Sequence, residues 1–592
     1  MKKFFGNILT VIIGNILTLV LIGSLIGVLA FFAIAGSWPQ SLGVKDGSIL
    51  ELTFDSSIKE SVMDEQLSII SPPSGTTVYY RDIIQSIQSA KEDENIKGIS
   101  LKVSTFRGGA TQLTDIRNAL LDFKKSGKFI YAYSHNSNQS AYTLNSVADS
   151  LFQNPLGTVI VQGLGTEVMF YKNFGEKYGV DFQVIRHGAY KSAVEPYMRE
   201  ELSSENREQL SVLLGDIWEN LSSSISVSRA ITKEQLNIAA DSLYSFNPDL
   251  ALQHKLVDKI ISEIEYEKIL ADKLELTQSK DESVHDVLKK YTITLEDYTS
   301  MRDIESSRNQ IAVLYASGPI MPGDGYSGIQ SGVYKKTIRD LKGNDDVKAV
   351  VLRINSPGGS ADASEEILSE LRELHKIKPI IVSFGDVAAS GGYYIAMESD
   401  SIFASPNTIT GSIGVLGMIP NVEKLINNVG ITTDYVTTNE NSNFLKTPFQ
   451  PMSSTGVQAM TNMTENVYKI FINHVSNARN LTLEQVDSIG GGRVWSGTKA
   501  VEIGLVDRLG TLEDAIQAAV NKAGLDDEYS VMNYPFRKGG IEEYLKEFQG
   551  VKTESIIQQE LGVEYYQMYQ ELKSMKEYKG VQLRMPFEIK FK

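Results

Sequence analysis

Short apolar runs alternate with amphipathic segments along most of this 592-residue chain. In the second half, an apolar run from Lys348 to Asn355 is followed by a glycine turn. The next segment, Ala363 to His375, carries its leucines and isoleucine at helical spacing, and a further apolar run spans Ile380 to Phe384. Buried strands that alternate with helices predict βαβ units around a mainly parallel sheet, so an α/β fold is expected.

The same pattern occurs twice along the chain. An Asp-Ser-Leu-Phe motif at residues 149–152 matches Asp-Ser-Ile-Phe at 400–403, which gives an offset of 400 − 149 = 251 residues. The Leu-Val-Asp motifs at 256–258 and 505–507 give an offset of 505 − 256 = 249 residues. The two offsets are nearly equal, so the two copies of this unit differ only by small insertions or deletions. The sequence predicts a tandem repeat of roughly 220 residues per copy.

Ser390 lies in the most informative segment of the second copy, residues 385–394, with the sequence GDVAASGGYY. This segment predicts a strand, a tight turn and a helix opening near Tyr393, with the Gly391 amide directly behind the serine hydroxyl. A glycine turn, Gly358-Gly359, follows the preceding strand. Either turn alone is ordinary structural chemistry. Together they provide a nucleophile and two amides for an oxyanion, the arrangement that acyl transfer needs.

Four segments resemble the signal peptide peptidase A (protease IV) family of membrane-anchored serine–lysine proteases. The resemblance extends from the N-terminus to about residue 525, and the length and the doubling match the long, two-repeat form. The segments are Gly188–Pro196, Asn355–Gly359, Gly385–Tyr394 and Gly411–Val415. The resemblance implies two tandem domains of the Clp protease/crotonase fold, of ββα type, preceded by a transmembrane helix.

The resemblance also implies a role for each candidate site residue. Ser390 would be the nucleophile and Lys191 the general base. Gly359 and Gly391 would offer backbone amides to the oxyanion, and Ser412 would hydrogen-bond the lysine. A lysine is a poor base at neutral pH unless burial or a nearby cation lowers its pKa from about 10.4. The base is therefore expected in a closed, apolar site.

Each copy has kept a different half of this site. The position equivalent to Ser390 in the first copy is 390 − 251 = 139, a glutamine, and the position equivalent to Lys191 in the second is 191 + 251 = 442, a serine. Duplication followed by complementary loss predicts one composite dyad per chain. Lys446, which follows an apolar pair in the second copy, is the rival candidate for the base.

The N-terminus predicts a membrane anchor. No charged residue occurs from Phe4 to Val44, and the apolar stretch from Ile8 to Ala35 is long enough to span a bilayer with some tilt. Lys2 and Lys3 place the N-terminus in the cytoplasm by the positive-inside tendency. The expected location is the bacterial inner membrane, with a single span and the catalytic domains on the periplasmic side.

Composition narrows the chemistry further. The chain has no cysteine, so disulfides and lipidation on cysteine are excluded. Its net charge, 57 − 73 = −16, argues against nucleic acid or anionic lipid as a partner. No metal-ligand spacing, Walker motif or dinucleotide fingerprint occurs, so no metal and no cofactor are expected.

These observations divide the chain into an anchor, two catalytic repeats and two further segments. The first repeat supplies the lysine and the second supplies the serine, while the role of the C-terminal extension is left open. The segments are the anchor 1–45, the N-terminal repeat 46–263, a linker 264–309, the C-terminal repeat 310–525 and the extension 526–592.

The expected function is a serine endopeptidase that degrades released signal peptides. By resemblance, the substrates are hydrophobic peptides, bound by strand addition to a sheet edge, and the protein forms a homotetramer. Two alternatives stay open on the residues: a crotonase-like acyl-CoA enzyme, which also holds an oxyanion with two amides, and a catalytically inactive membrane scaffold.

Overall fold

A computed structural model describes residues 43–54, 57–60, 79–279, 281–302, 307–325, 328–526, 528–535 and 582–585. The predicted anchor lies outside these residues except for its last three positions, and so does most of the predicted extension. Within the described ranges, no helix is both long and apolar enough to cross a bilayer.

The first copy is built on a parallel sheet. Its six strands lie in the order β6-β4-β3-β2-β1-β7, and each of the five neighbouring pairs is parallel. The strands are β1 (Ser48–Leu52), β2 (Ile96–Leu101), β3 (Phe129–Ser137), β4 (Ser150–Val159), β6 (Lys259–Ile260) and β7 (Thr292–Thr294). One further strand of this copy, β5 (Asp181–His187), leaves this sheet.

Helices cover the first sheet and connect its strands. They are α1 (Tyr80–Glu92), α2 (Ala110–Lys124), α3 (Gln139–Asn145), α4 (Lys172–Tyr178), α5 (Glu195–Met198), α6 (Ser204–Arg229), α7 (Lys233–Asp241), α8 (Pro248–Gln253), α9 (Glu263–Lys273), α10 (Val284–Lys289) and α11 (Leu295–Ser300). Short 3₁₀ turns occur at Ser192–Val194 and Tyr244–Phe246.

The second copy repeats this plan. Its central strands run in the order β17-β15-β13-β11-β8-β19, with β14 beside β13 and β18 beside β14, and only the β15–β17 pair is antiparallel. The strands are β8 (Gln310–Ser317), β11 (Val347–Ser356), β13 (Ile380–Ala389), β14 (Ser401–Ala404), β15 (Ile409–Gly411), β17 (Val494–Ser496), β18 (Arg508–Leu509) and β19 (Ser530–Tyr534).

The helices of the second copy correspond to those of the first. They are α12 (Ser331–Gly343), α13 (Ala361–His375), α14 (Gly391–Tyr394), α15 (Glu423–Asn428), α16 (Ser454–Arg479), α17 (Leu483–Ile489), α18 (Gly497–Glu502) and α19 (Leu512–Lys522). Helices α6 and α16 have the same length, 26 residues, and each ends on an arginine paired with an aspartate, Arg229 with Asp258 and Arg479 with Asp507. The duplication therefore extends to individual side-chain contacts.

A third sheet joins the two copies. Its strands run in the order β10-β9-β12-β20-β16-β5. Strand β5 belongs to the first copy and pairs antiparallel along its whole length with β16 of the second. The remaining strands are β9 (Ile320–Met321), β10 (Ile329–Gln330), β12 (Gly358–Ser360), β16 (Val415–Asn421) and β20 (Gln582–Arg584). This crossed pairing carries the loop after β5 into the second copy.

Candidate active site

Ser390 stands at the junction between strand β13 and helix α14. Its backbone has φ 55° and ψ −115°, a conformation that non-glycine residues rarely adopt and that is often found at functional sites. The Ser390 amide donates a hydrogen bond to the Gly411 carbonyl at 2.8 Å, which helps hold this turn. Gly392 must stay small, because a Cβ there would lie 2.7 Å from the Ser356 carbonyl oxygen.

Lys191 reaches this serine from the other copy. Its Nζ lies 2.7 Å from Ser390 Oγ, 3.0 Å from Ser412 Oγ and 3.0 Å from the Ser412 carbonyl oxygen. All three side chains are fully buried. The two residues are 199 positions apart in sequence, and both come from a single chain. The structure thus brings Ser390, Lys191 and Ser412 together.

The position of Lys191 follows from the crossed strand pair. His187, the last residue of β5, lies opposite Val415 at the start of β16. The chain then turns through Gly188, and the Tyr190 amide donates to the Gly491 carbonyl of the second copy at 3.0 Å. Strand pairing and this loop contact therefore carry Lys191, four residues after the end of β5 (191 − 187), into the neighbouring copy.

Burial sets the protonation of this lysine. It lowers the pKa of the Lys191 ammonium well below the usual range, because a buried charge loses its hydration. Among the described residues, no carboxylate lies within ion-pair distance of Nζ to oppose this effect. A lysine in such surroundings holds a free electron pair at a pH where a solvated lysine is protonated, so it can accept a proton from a hydroxyl.

Two glycines make room for the lysine side chain. A Cβ on Gly492 would lie 2.6 Å from both the amide nitrogen and the Cβ of Lys191, and a Cβ on Gly414 would lie 3.2 Å from its Cδ. Neither glycine is a candidate site residue on the sequence alone. The run Gly490-Gly491-Gly492 was the available signal, since three successive glycines indicate a close approach of backbone.

A buried polar network supports the lysine loop from behind. The carboxylate of Glu195, fully buried, accepts hydrogen bonds from the Ser203 amide at 3.2 Å and from Asn206 Nδ2 at 3.0 Å. Arg186 lies 3.6 Å from this carboxylate and donates to the Lys191 carbonyl at 3.1 Å. These residues hold the backbone on both sides of Lys191. From the sequence, Arg186 and Glu195 look like solvated or positioning charges, and their contacts in the structure are those of positioning residues.

The two predicted oxyanion glycines also meet. Gly358 has φ +95° and Gly359 has φ +158°, so the turn after β11 uses backbone conformations that favour glycine. A Cβ on Gly391 would lie 3.2 Å from the Gly359 amide nitrogen. The backbone nitrogen of Gly359 thus lies next to Gly391, the first residue of α14.

The counterpart positions have a structural role or lie at the surface. The Gln139 side chain accepts hydrogen bonds from the amides of Gln162 and Gly163, at 2.9 and 3.0 Å, and donates to the Gly163 carbonyl at 3.0 Å. Ser442 and Lys446 lie in a loop of the second copy, where Lys446 is exposed. Of the two candidate bases, the structure brings Lys191 to Ser390 and leaves Lys446 in solvent.

A buried charge cluster fixes the serine segment against the first copy. Arg353, buried on β11, donates two hydrogen bonds of 3.1 Å to the Glu60 carboxylate. Asp386, four residues before Ser390, accepts from the Thr111 amide at the start of α2 at 2.8 Å. Burial raises the pKa of Asp386 to about 6. This contact joins β13, the strand that leads to Ser390, to a helix of the other copy.

The chain is similar in sequence to known proteases. The profile of peptidase family S49 matches the chain twice, over residues 122–277 and 372–526. Protease 4 of Salmonella typhi is 39% identical over 454 residues, which cover 75% of this chain and 72% of that protein. Protease 4 of Haemophilus influenzae is 32% identical over 549 residues, covering 90% and 88%. The chloroplastic serine protease SPPA of Arabidopsis thaliana is 30% identical over 495 residues, covering 81% and 70%.

Both copies of the repeat match the family, so the predicted duplication and the predicted family are confirmed. The match to the S49 profile and the identity to proteases over most of the chain favour a protease over the acyl-CoA enzyme. The chain is a serine protease that belongs to peptidase family S49 and carries two tandem S49 domains.

Proposed function

We propose that this protein hydrolyses peptides with a Ser390–Lys191 dyad built across its two domains. The observation that carries the proposal is the 2.7 Å separation of Lys191 Nζ and Ser390 Oγ in a fully buried site. The repeated parallel α/β units support assignment of each domain to the Clp protease/crotonase fold. Under that assignment, the amides of Gly359 and Gly391 face the substrate carbonyl.

The proposed reaction proceeds through an acyl-enzyme. Neutral Lys191 accepts the proton of Ser390 Oγ as that oxygen attacks the peptide carbonyl, and it then delivers the proton to the leaving amine. The amides of Gly359 and Gly391 stabilise the developing oxyanion. Ser412, in contact with Nζ through its hydroxyl and its carbonyl, orients the lone pair of the lysine toward Ser390.

Released signal peptides are the proposed substrates. Strands β12 and β16 both pair with the short strand β20, and main-chain hydrogen bonding of this kind is how strand addition recognises an extended peptide. The surrounding core is apolar: Ile413, Val415 and Leu416 are all buried beside the dyad. An apolar site suits the hydrophobic segment of a signal peptide better than it suits a charged sequence.

The test compares purified full-length protein with Ser390→Ala, using Ser399→Ala as the matched control. We expect wild type and Ser399→Ala to cleave a synthetic signal peptide and to react with a fluorophosphonate probe, while Ser390→Ala does neither. An unlabelled, inactive wild type would favour the scaffold alternative and refute the protease mechanism. Equal cleavage of a polar peptide of the same length would refute the signal-peptide preference alone.

We further propose that residues 8–35 anchor the protein in the bacterial inner membrane, with the catalytic domains on the periplasmic side. The support is the charge-free sequence from Phe4 to Val44. Full-length protein should stay in the membrane fraction after an alkaline carbonate wash, whereas a chain lacking residues 2–45 should be released and should still hydrolyse peptide. Carbonate extraction of the full-length chain would contradict the anchor.

The proposed assembly is a homotetramer. It is supported by two segments that are equivalent to β5 and β16 but have no strand partner in the described part of the chain. Residues 432–438 are equivalent to β5 by the 251-residue offset, and residues 164–170 are equivalent to β16. Neither segment pairs with a strand among the described residues. Val436 in the first of them is completely exposed. If residues 432–438 of one chain pair with residues 164–170 of the next, as β5 pairs with β16, the chains are joined head to tail. Head-to-tail contacts of this kind can close into a ring of identical chains.

A further inference from the structure

Arg493 lies beside the dyad, in the segment that enters strand β17. Its neighbour Val494 pairs with Gly411 at the end of β15. The Arg493 carbonyl accepts a hydrogen bond of 2.7 Å from the amide of Ser412. Ser412 has φ +50° and contacts Lys191 Nζ through its hydroxyl and its carbonyl. The backbone of Arg493 therefore helps to hold the serine that binds the lysine.

The side chain of Arg493 reaches the loop that carries Lys191. Its guanidinium carbon lies 4.8 Å from the centre of the Tyr190 ring and 4.4 Å from the centre of the Trp495 ring. A guanidinium over an aromatic face is attracted by the negative charge of that face. Tyr190 directly precedes Lys191 in the first copy, whereas Arg493 belongs to the second. One side chain thus joins the lysine loop to the copy that carries the nucleophile.

A carboxylate on helix α6 contacts the same pair of residues. Glu208 Oε1 lies 2.9 Å from the Arg493 guanidinium, and Glu208 Oε2 accepts a hydrogen bond of 3.2 Å from the Tyr190 hydroxyl. The guanidinium also donates to that hydroxyl at 3.4 Å. The Glu208 side chain is 52% exposed, so solvent screens this ion pair. The contacts of Arg493 with the two rings are therefore the main link.

Gln209, the next residue of α6, makes a second connection, through the backbone. Its side chain accepts a hydrogen bond from the Val494 amide at 3.3 Å. It donates to the Tyr190 carbonyl at 3.1 Å and to Ser192 Oγ at 2.9 Å. Tyr190 and Ser192 are the two neighbours of Lys191. The chain on both sides of the lysine is therefore tied to the entry of β17.

The first copy has a different residue at the position of this arginine. The 249-residue offset of the Leu-Val-Asp motifs places Tyr244 there, since 493 − 249 = 244. The preceding residues, Leu243 and Gly492, both have a positive φ, 53° and 85°, which supports this register. Tyr244 stacks on His254 of its own copy, with ring centroids 4.2 Å apart. Of the two equivalent positions, only the one in contact with the lysine loop is an arginine.

We propose that Arg493 is a positioning residue for the dyad: it holds Ser412 with its backbone and the Lys191 loop with its side chain. The proposal rests on the Ser390–Lys191 mechanism. Arg493 acts through Tyr190 and Ser412, and it keeps Nζ in the closed space beside Ser390.

This role has a consequence for the protonation of the lysine. Burial is what lowers the pKa of Lys191. When the loop is no longer held, water can hydrate the ammonium, and the pKa rises toward its ordinary value of about 10.4. Loss of the Arg493 side chain should therefore change the pH at which the enzyme becomes active, as well as its rate.

The pH–rate profile of Arg493→Met tests the proposal. At pH 7, kcat should fall about 10- to 100-fold, the scale expected when a catalytic group is displaced by up to about 1 Å, and KM should change little. The midpoint of kcat/KM against pH should move upward, so that part of the lost rate returns in alkaline buffer. The matched control is Arg508→Met, which removes a guanidinium 5.2 Å from the Phe403 ring of the same copy and should keep the wild-type profile.

Tyr190→Leu tests the same link from the other side. It should shift the midpoint upward as well, because the Tyr190 ring is the part of the loop that the guanidinium contacts. In the double variant Arg493→Met/Tyr190→Leu, the shift should be no larger than in the single variants, since both substitutions remove one contact. This measurement decides the question even if Arg493→Met does not fold, because Tyr190 lies in a partly exposed loop.

Several results would overturn the positioning role. One is a wild-type profile for Arg493→Met or for Tyr190→Leu. Others are a rate lowered by the same factor at every pH, which is the effect of a purely structural residue, and additive shifts in the double variant. An equal shift in Arg508→Met would assign the effect to the loss of any guanidinium.

Ser390→Ala separates this inference from the function on which it rests. Cleavage by Ser390→Ala at the wild-type rate would refute the dyad, and the inference with it. An inactive Ser390→Ala beside an unchanged profile for Arg493→Met would refute the positioning role alone and leave the protease mechanism standing.

Discussion

Replacement of Lys191 by methionine is expected to lower kcat for peptide hydrolysis by about 10⁴-fold or more, the scale seen when a member of a catalytic unit is removed. Nζ is the basic group in contact with Ser390 Oγ, and without it the hydroxyl keeps its proton. The fold should be retained, because methionine fills a similar volume and needs no hydration in the buried site. The measurements are single-turnover kinetics and a thermal melt.

The control is Lys446→Met, which removes an exposed lysine and should leave most of the activity. If Lys191→Met stayed active while Lys446→Met did not, the cross-domain dyad would be refuted. Neither substitution should prevent folding, so a loss of activity can be assigned to the chemistry of the removed amine.

The pH dependence of wild type follows from the same lysine. Burial lowers the pKa of Lys191, so kcat/KM should rise with pH as the amine loses its proton, with a midpoint well below about 10.4. Between the folded and unfolded pKa values the unfolded chain binds more protons, so this group makes stability rise with pH across that window. Lys191→Met should remove this contribution to the pH dependence of stability.

Val436→Lys is expected to reduce the solution assembly from four chains to one, as measured by light scattering in detergent. A lysine in the unpaired segment 432–438 opposes strand addition, since charged residues on strand edges block edge-to-edge pairing. Activity per chain should persist, because both dyad residues lie in one chain.

A matched control is Val227→Lys, which places the same charge on the outer face of α6, where the valine is 82% exposed. This variant should keep the mass of wild type. A tetramer that survives Val436→Lys would show that the chains join through another surface, and a monomeric wild type would refute the ring.

Much of this architecture could be predicted from sequence, for identifiable reasons. The duplication left motif pairs at a constant offset, and the strand–turn–helix around Ser390 is a local pattern. The proposed division of the dyad between copies was expected from Gln139 and Ser442, without any structural information. These features depend on residue identity and spacing along the chain, which sequence preserves.

Other parts of the site depend on long-range pairing, which leaves little trace in a sequence. Apolar and polar residues alternate in β5 no more clearly than in an ordinary surface strand. Its pairing with β16 of the other copy was therefore not predictable from the sequence. Arg353 interrupts an apolar run and gave no sign that Glu60, 293 positions away, neutralises it. Strand β20 has only three residues, too few for a period. From the sequence, Glu195 could be a solvated or a positioning charge, and only its hydrogen-bond donors in the structure decide between the two.

The contacts of the glutamine at position 139 oppose a change to serine there in evolution. Its side chain has taken over the amides of Gln162 and Gly163 in the first copy. Reversion to serine would remove the acceptor for both amides and the donor to the Gly163 carbonyl, and each lost hydrogen bond would cost about 0.5–1.5 kcal/mol. It would restore no base, because position 442 is serine. With Ser390 and Lys191 as the proposed dyad, these contacts keep position 139 in a structural role, and selection would act on one catalytic centre per chain.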